Sequence, residues 1–228
     1  MKKFIAIVLL SFVAFACSKG KKEVMIVQGE VKNLKKGTLF LQKTKDTLFI
    51  SVDSITIDGD GKFSLSDKIE SPEMYYLTLD HSTDKMVPFF GEAGTITINT
   101  NLDRFGFGAK ITGLGNQQLL DEYQEMKSKF TDKHLNLVKD GFEAKKEGDS
   151  MRADSIEKAM LNLLKSRYRY TANFAITHPD NEVSPYLALS EMYDANKTWL
   201  DSIYNSLTPK VKKSKYGLEL EKYLSQIQ

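Results

Sequence analysis

Ile111-Thr112-Gly113-Leu114-Gly115-Asn116 is the stretch at which the chain changes its period, and reading it decides the fold. Upstream, from Val24 to Thr112, short apolar segments alternate with turn residues. Val24, Ile26 and Val31 come first; Lys35-Lys36-Gly37 turns into Thr38-Leu39-Phe40-Leu41, and Asp46-Thr47-Leu48-Phe49-Ile50 and Ile55-Thr56-Ile57 follow. Asp58-Gly59-Asp60-Gly61 is a turn signal, Ser71-Pro72 breaks the chain before Met74-Tyr75-Tyr76-Leu77-Thr78-Leu79, and Gly91-Glu92-Ala93-Gly94 separates two further apolar runs. Alternation with turn signals every ten or so residues predicts an antiparallel β-sandwich or barrel.

Downstream the spacing becomes helical. Asn116 is expected to cap a helix whose apolar residues are Leu119, Tyr123, Met126, Phe130 and Leu137, mostly three or four apart. Gly148-Asp149-Ser150 interrupts it, and a second stripe runs through Ile156, Met160, Leu163, Leu164, Tyr168 and Phe174. Two stripes joined by a short polar link predict a long antiparallel helical hairpin. Ser184-Pro185 reads as serine cap and first-turn proline of a third helix, and Thr208-Pro209 repeats the signal before a final helix over about Lys215 to Ile227. The expected fold class is α+β: an N-terminal antiparallel β-sandwich at 24–113, then a C-terminal helical region at 114–228.

Of the 228 residues, 41% are hydrophobic and 27% charged, enough for a sizeable core and outside the disordered class. The 32 basic and 30 acidic residues nearly cancel, and removal of Lys2 and Lys3 with a leader would balance them. That leaves no positive excess to neutralise phosphates, which argues against nucleic acid as a partner. The lone cysteine, Cys17, rules out an internal disulfide and any CxxC redox or zinc pair. His81, His134 and His178 are too scattered to suggest a metal site, and no cofactor is expected.

The chain opens with Met1-Lys2-Lys3 and an apolar run from Phe4 to Ala16. This run falls short of the ~20 apolar residues that span a bilayer and suits the core of a secretory signal. Ala14-Phe15-Ala16-Cys17 resembles the lipobox of bacterial lipoproteins, with Ala14 standing where leucine is preferred. The resemblance implies a signal peptide at 1–16, a lipidated tether at 17–23, and diacylglyceryl and acyl (palmitate) chains on Cys17. Two or more such chains anchor a protein stably at ~0.8 kcal/mol per buried methylene. The competing readings are an ordinary cleaved signal in which Cys17 is incidental, and a buried core cysteine. Lys19, Lys21 and Lys22 occupy the place of the acidic run that accompanies surface display, so the expected location is the outer membrane, facing the periplasm.

Three patterns invite chemistry, and each has a plainer reading. Asp58-Gly59-Asp60-Gly61 is a fragment of a calcium loop, but the twelfth position holds Ile69 where a bidentate glutamate is needed, with only Glu70 nearby. A hairpin turn accounts for the same letters. Ser54 and Ser184, with His81 or His178 as base, lack a G-x-S-x-G elbow; a strand entry and a helix cap explain them. Glu143 and Glu147 beside Lys145 and Lys146 read as a solvated face rather than a carboxylate pair for glycosidase chemistry. Catalytic residues are therefore expected to be none. The aromatics Tyr168, Tyr170, Phe174, Tyr186, Tyr193, Trp199 and Tyr204 read mainly as core, with Tyr186, Tyr193 and Trp199 as candidate binding residues.

The order Val52-Asp53-Ser54, Asp60-Gly61-Lys62-Phe63-Ser64-Leu65, Ser71-Pro72, Phe89-Phe90-Gly91-Glu92-Ala93-Gly94-Thr95-Ile96-Thr97-Ile98 and Ile111 to Asn116 resembles the domain of unknown function 4369. That domain is usually the N-terminal part of bacterial thioredoxin-like lipoproteins. His178-Pro179-Asp180-Asn181 through Tyr186 resembles the helical region such proteins carry next, and Tyr216-Gly217 its closing signature. In the usual member a thioredoxin domain with a CxxC pair follows at about where this sequence stops, at Gln228. With no second cysteine here, the family's thiol–disulfide activity does not transfer.

The expected function is that of a non-catalytic envelope lipoprotein, a binding or scaffold module with a membrane anchor at Cys17 and an envelope protein as partner. Two alternatives stand beside it. One is an accessory to a thiol–disulfide pathway whose thioredoxin-like protein is separate. The other is an unrecognised ligand-binding or hydrolytic pocket between sandwich and helices.

Overall fold

The computed structural model describes residues 23–46 and 48–227. The signal segment 1–16, Cys17 and the tether through Lys22 lie outside the described residues. Eight strands come first: β1 (Glu23–Lys32), β2 (Lys36–Lys45), β3 (Leu48–Asp58), β4 (Lys62–Ile69), β5 (Glu73–Leu79), β6 (Met86–Gly91), β7 (Gly94–Asn101) and β8 (Lys110–Thr112). Six helices follow: α1 (Gly115–Glu147), α2 (Ser150–Thr177), α3 (Val183–Glu191), α4 (Lys197–Ser206), α5 (Pro209–Lys212) and α6 (Lys215–Gln226). The fold is α+β, as the change of period indicates. Glu23, expected at the end of the tether, instead begins β1 and pairs with Ile69.

The strands form two four-stranded sheets, in the orders β4-β1-β7-β8 and β3-β2-β5-β6. Alternate residues meet between them: Met25, Val27 and Val31 from β1, Ile96 and Ile98 from β7, Leu39 and Leu41 from β2, and Tyr75, Leu77 and Phe89 from β5 and β6 are all buried in one core. Burying one face of each sheet is what a period of two encodes.

The sandwich is not wholly antiparallel. β1 and β7 run parallel, from Met25 opposite Gly94 to Lys32 opposite Asn101. A parallel pair needs a crossover, and here strands of the opposite sheet supply it, since the chain repeatedly passes from one sheet to the other. The same traffic corrects the reading of Asp58–Gly61. β3 and β4 belong to different sheets, so this turn is a corner between layers and not a hairpin. Nor does Asp53-Ser54 open a strand, because both residues lie within β3. The Asp53 carboxylate accepts a hydrogen bond from Ser66 N of β4 at 2.8 Å, stitching the two sheets at their edge.

β5 is buried along nearly its whole length because both faces are covered. Its Met74, with Phe90 of β6, faces away from the sandwich core into a second cluster with Leu120, Tyr123, Phe174, Val183, Leu187 and Tyr216. A third cluster lies among the helices, around Ala172, Ala188, Met192, Leu200, Ile203 and Leu220.

Polar contacts set the joint between sandwich and helices. Asn116 does not cap α1: the N-cap position is Leu114, which makes no side-chain bond. The Glu92 carboxylate serves the helix start instead, accepting from Asn116 N at 2.9 Å and from the Asn116 side-chain amide at 3.2 Å. That amide also donates to Glu182 at 2.9 Å, while its oxygen accepts from Val183 N. Gln117 Oε1 accepts from Phe90 N, which covers the open edge of β6. Ser184 is not a cap either. It lies inside α3, whose N-cap position is Glu182, and its hydroxyl donates to the His178 carbonyl at 2.6 Å.

Candidate functional site

The helical hairpin extends well beyond the body it springs from. At ~1.5 Å per residue, a helix of the length of α1, 33 residues, spans ~50 Å. Its buried residues are Asn116, Gln117, Leu120 and Tyr123 at the base, then only Ala144 near the tip. In α2 the buried residues, Thr171, Ala172, Phe174 and Ala175, all lie in the last turns. Between base and tip the two helices therefore form an arm that packs mainly on itself.

Local chemistry fixes both ends of this arm. At the tip Gly148 takes φ 73° and its N–H bonds back into α1, while the Asp149 side chain caps α2 by accepting from Arg152 N. Arg152 reaches back to Glu147 at 3.0 Å and Glu143 at 3.8 Å, so the cation that pairs these acids comes from across the turn rather than from Lys145 or Lys146. At the base, Tyr123 and Thr171 hydroxyls share a hydrogen bond of 2.8 Å, and Lys127 pairs with Glu191 of α3 at 2.7 Å. Burial pushes the Tyr123 hydroxyl up to about 12, so it stays protonated at neutral pH.

Along one side of the arm runs a trough lined by both helices. Its base end lies among Phe130, His134, Leu164 and Arg167, and its tip end among Val138, Phe142, Lys145 and Asp154. Each half encloses about 450 Å³, and Glu157 and Met160 belong to both, which makes the trough continuous. Val138, Phe142, Leu161 and Leu164 are exposed here although they are large and apolar. Large apolar side chains exposed side by side are uncommon on the surface of a folded monomer. Arg167, at the base end, has a buried Nε without a hydrogen-bond partner.

A different polar cluster lies where α6 meets the sandwich. Lys43 Nζ is 2.9 Å from Asp67 and 3.5 Å from Glu73, Lys215 Nζ is 2.5 Å from Glu73, and Tyr75 donates to Asp67 at 2.7 Å. A lysine nucleophile needs a lowered pKa. Lys43 moves the other way: burial works against its charge, but the bonds and charges of Asp67 and Glu73 outweigh that and raise it. Burial raises Tyr75 strongly as well. This cluster is a charged clamp in which acids and bases hold each other, and it offers no free base.

The remaining candidates are kept apart. Ser54 is exposed on β3, and its side chain has no hydrogen bond to His81, which stacks on Phe40 with ring centroids 3.6 Å apart. Ser184 meets the carbonyl of His178, not its ring, whose Nδ1 pairs with the Phe174 carbonyl oxygen. At the corner turn, Asp60 accepts from Lys62 N, a bond that lowers its pKa. Among the described residues no group of three or more His, Cys, Asp or Glu could hold a metal ion.

Of the aromatics singled out, Tyr186 packs on Phe90 and Tyr216 in the joint, Trp199 lies against the helical core, and Tyr193 is 63% exposed. The fold does not bring these three together. Sequence reasoning placed Phe130, Ile156, Met160 and Leu164 on the helical stripes but passed over the exposed part of the trough. The signal was present at helical spacing beside the stripes already read: Val138 and Phe142 on α1, and Leu161 on α2.

Residues 25–120 match the family model described as Domain of unknown function (DUF4369). The match covers the sandwich and ends in the first turns of α1, so the resemblance carried by the turn motifs holds for that segment. No curated protein and no solved structure matches significantly.

Proposed function

We propose, starting from a DUF4369 domain joined to its own helical region, that this protein is a non-catalytic binding module of the bacterial cell envelope. The hairpin arm is its contact element. One observation carries this reading: an apolar trough along an arm that stands off the body, on a chain whose polar clusters are closed upon themselves. A helix pair with an open apolar seam gains hydrophobic free energy when another helical surface fills it.

The anchor belongs to the same proposal. Acyl chains on Cys17 would hold the body at a membrane, and the outer membrane with its periplasmic face is the location that the lysines after Cys17 favour. No described helix is long and apolar enough to cross a bilayer, which leaves attachment to the segment outside the described residues. Mass spectrometry of the protein from cells should find Cys17 as the first residue, carrying lipid. Intact Met1 with an unmodified thiol defeats the anchor.

The contact element is tested by photo-crosslinking in cells. A photoreactive residue in place of Leu161 or Phe142 should yield discrete adducts. The same residue in place of Phe107, which is 97% exposed on a loop of the sandwich, should not. Silence from both arm positions, with expression intact, sinks the binding role of the arm.

A further inference from the structure

We infer that the end of the sandwich at which the chain enters rests on the lipid surface. Leu48 and Phe49 at the start of β3, with Val24 of β1, sink into the boundary between headgroups and acyl chains. This rests on the reading of Cys17 as the anchor and adds to it a second contact and a fixed orientation.

The strand pairings decide which end this is. Glu23, the first residue of β1, lies opposite Ile69 at the end of β4. Two residues back along β4, Asp67 holds Lys43 of the other sheet at 2.9 Å. β2 runs on from Lys43 to Lys45, which is paired with Leu48 where β2 and β3 join. The entry of the chain and the closed end of this hairpin therefore share one end of the sandwich. Helices cover part of that end: Lys215 of α6 donates from its backbone N–H to Ser71 Oγ and from Nζ to the Thr44 carbonyl, both at 3.2 Å. Around the rest, Leu48 is 70% exposed, Val24 48% and Phe49 47%. The Phe49 ring stands edge-on to Tyr76 with centroids 4.9 Å apart, which holds it at the rim.

Reach selects lipid as what these side chains meet. Six residue steps separate Cys17 from Glu23, at most about 20 Å of chain. Acyl chains on Cys17 thus keep this end of the body beside the bilayer. Phe107 is exposed too, but it follows β7, whose last residue lies beside Lys32 at the far end of β1, about 30 Å along the strand. A contact made on a short tether is intramolecular, so side chains too few to bind a membrane unaided still stay in it. Leucine and phenylalanine gain by leaving water for the interface. The charged residues here, Lys45 and Lys68 with Glu23, Asp46 and Glu70, are exposed and of both signs. Apolar side chains rather than net charge therefore make the contact.

The full lipidated chain in vesicles tests it. With Cys17 occupied by lipid, Leu48→Cys or Phe107→Cys supplies the sole thiol for a nitroxide label, and collision with a water-soluble relaxing agent reads the depth of the label. On phosphatidylcholine vesicles the label at position 48 should meet that agent several-fold less often than the label at position 107. Adding phosphatidylglycerol should leave the ratio unchanged. A label at Lys45→Cys should also be shielded, and Leu48→Ser with Phe49→Ser in the same chain should return it to water while the protein still floats with the vesicles. Both side chains are exposed, so circular dichroism should not change. Equal access of water to positions 48 and 107 on a chain that floats overturns the docking and leaves the anchor standing. A label at Lys45→Cys indifferent to the two serines does the same, as does a difference seen only with phosphatidylglycerol, which would mean that charge holds this end. A parent chain whose own Cys17 takes the label, and which does not float, removes anchor and docking together.

Discussion

Asn116 shows how much one side chain settles in this molecule. Its amide touches two carboxylates and the start of α3, and both it and Glu182 are 2% exposed. Asn116→Ala should cost about 3 kcal/mol, because it strips a partner from the buried Glu182 carboxylate and another from half-buried Glu92 rather than merely deleting a bond. Asn116→Asp should be worse at neutral pH than alanine, since it sets a third carboxylate between Glu92 and Glu182. Urea titration of the three proteins checks the order, and an aspartate as stable as the parent contradicts it. A second residue-scale prediction concerns alkali. Burial raises the hydroxyl pKa values of Tyr75, Tyr123 and Tyr216 in the fold, while bonds to acids raise Lys43. Each group then holds its proton more tightly folded than unfolded. Their stabilisation is complete below the ordinary tyrosine and lysine values and drains away as pH climbs through about 10. Denaturant midpoints between neutral pH and pH about 11 should fall steeply, and less so for Tyr75→Phe. Parallel curves for the two proteins refute the assignment.

Among the elements, the corner between β3 and β4 separates what sequence could reveal from what it could not. Asp-Gly-Asp-Gly announces a turn because glycine tolerates positive φ, and Gly61 indeed sits at φ 73°. Which strands the turn joins depends on the pairing of β4 with β1, far away in the chain, and no local pattern encodes that. The parallel pairing of β1 with β7 was hidden for the same reason. Helix ends were readable where the determinant is local, as at Gly148 and at Thr208-Pro209. They were misread at Asn116 and Ser184, where tertiary partners claim side chains that would otherwise cap. The trough was spelled out in the helical spacing of Val138, Phe142 and Leu161, yet only the length of the arm beyond the body shows that nothing in the described chain covers it. The turn also carries a prediction. A Cβ on Gly61 would stand 2.2 Å from the Val31 carbonyl oxygen, so Gly61→Ala should lose about 2 kcal/mol or more. Millimolar calcium should leave the melting temperature of the unaltered protein where it was. A calcium-dependent rise would return this corner to the ligand-binding reading.

At the scale of the whole molecule, sandwich and helices are coupled through an apolar cluster that belongs to neither alone. Met74 and Phe90 come from the sheet, while Leu120, Tyr123, Phe174, Val183, Leu187 and Tyr216 come from four helices. The Tyr216 hydroxyl accepts from Met74 N at 3.0 Å, and Lys215 beside it reaches Glu73. The last helix thereby closes on the strand that the first helix also covers. Shared burial of this kind makes domains unfold together, because neither can lose its partner without exposing its own apolar face. Thermal and urea unfolding of the body should accordingly follow one transition by both near-ultraviolet and far-ultraviolet signals. A fragment of residues 23–113 would present Met74 and Phe90 to water, together with a β6 edge deprived of Gln117. It should bind a hydrophobic dye and associate, since an uncovered sheet edge beside apolar surface recruits further strands. Tyr216→Phe in the intact chain should lower stability by about 1–2 kcal/mol, the cost of an unmet buried N–H, and keep the single transition. Two separate transitions, or a fragment that is monomeric and as stable as the parent, would mean that the sandwich stands alone and that the joint merely tethers the arm.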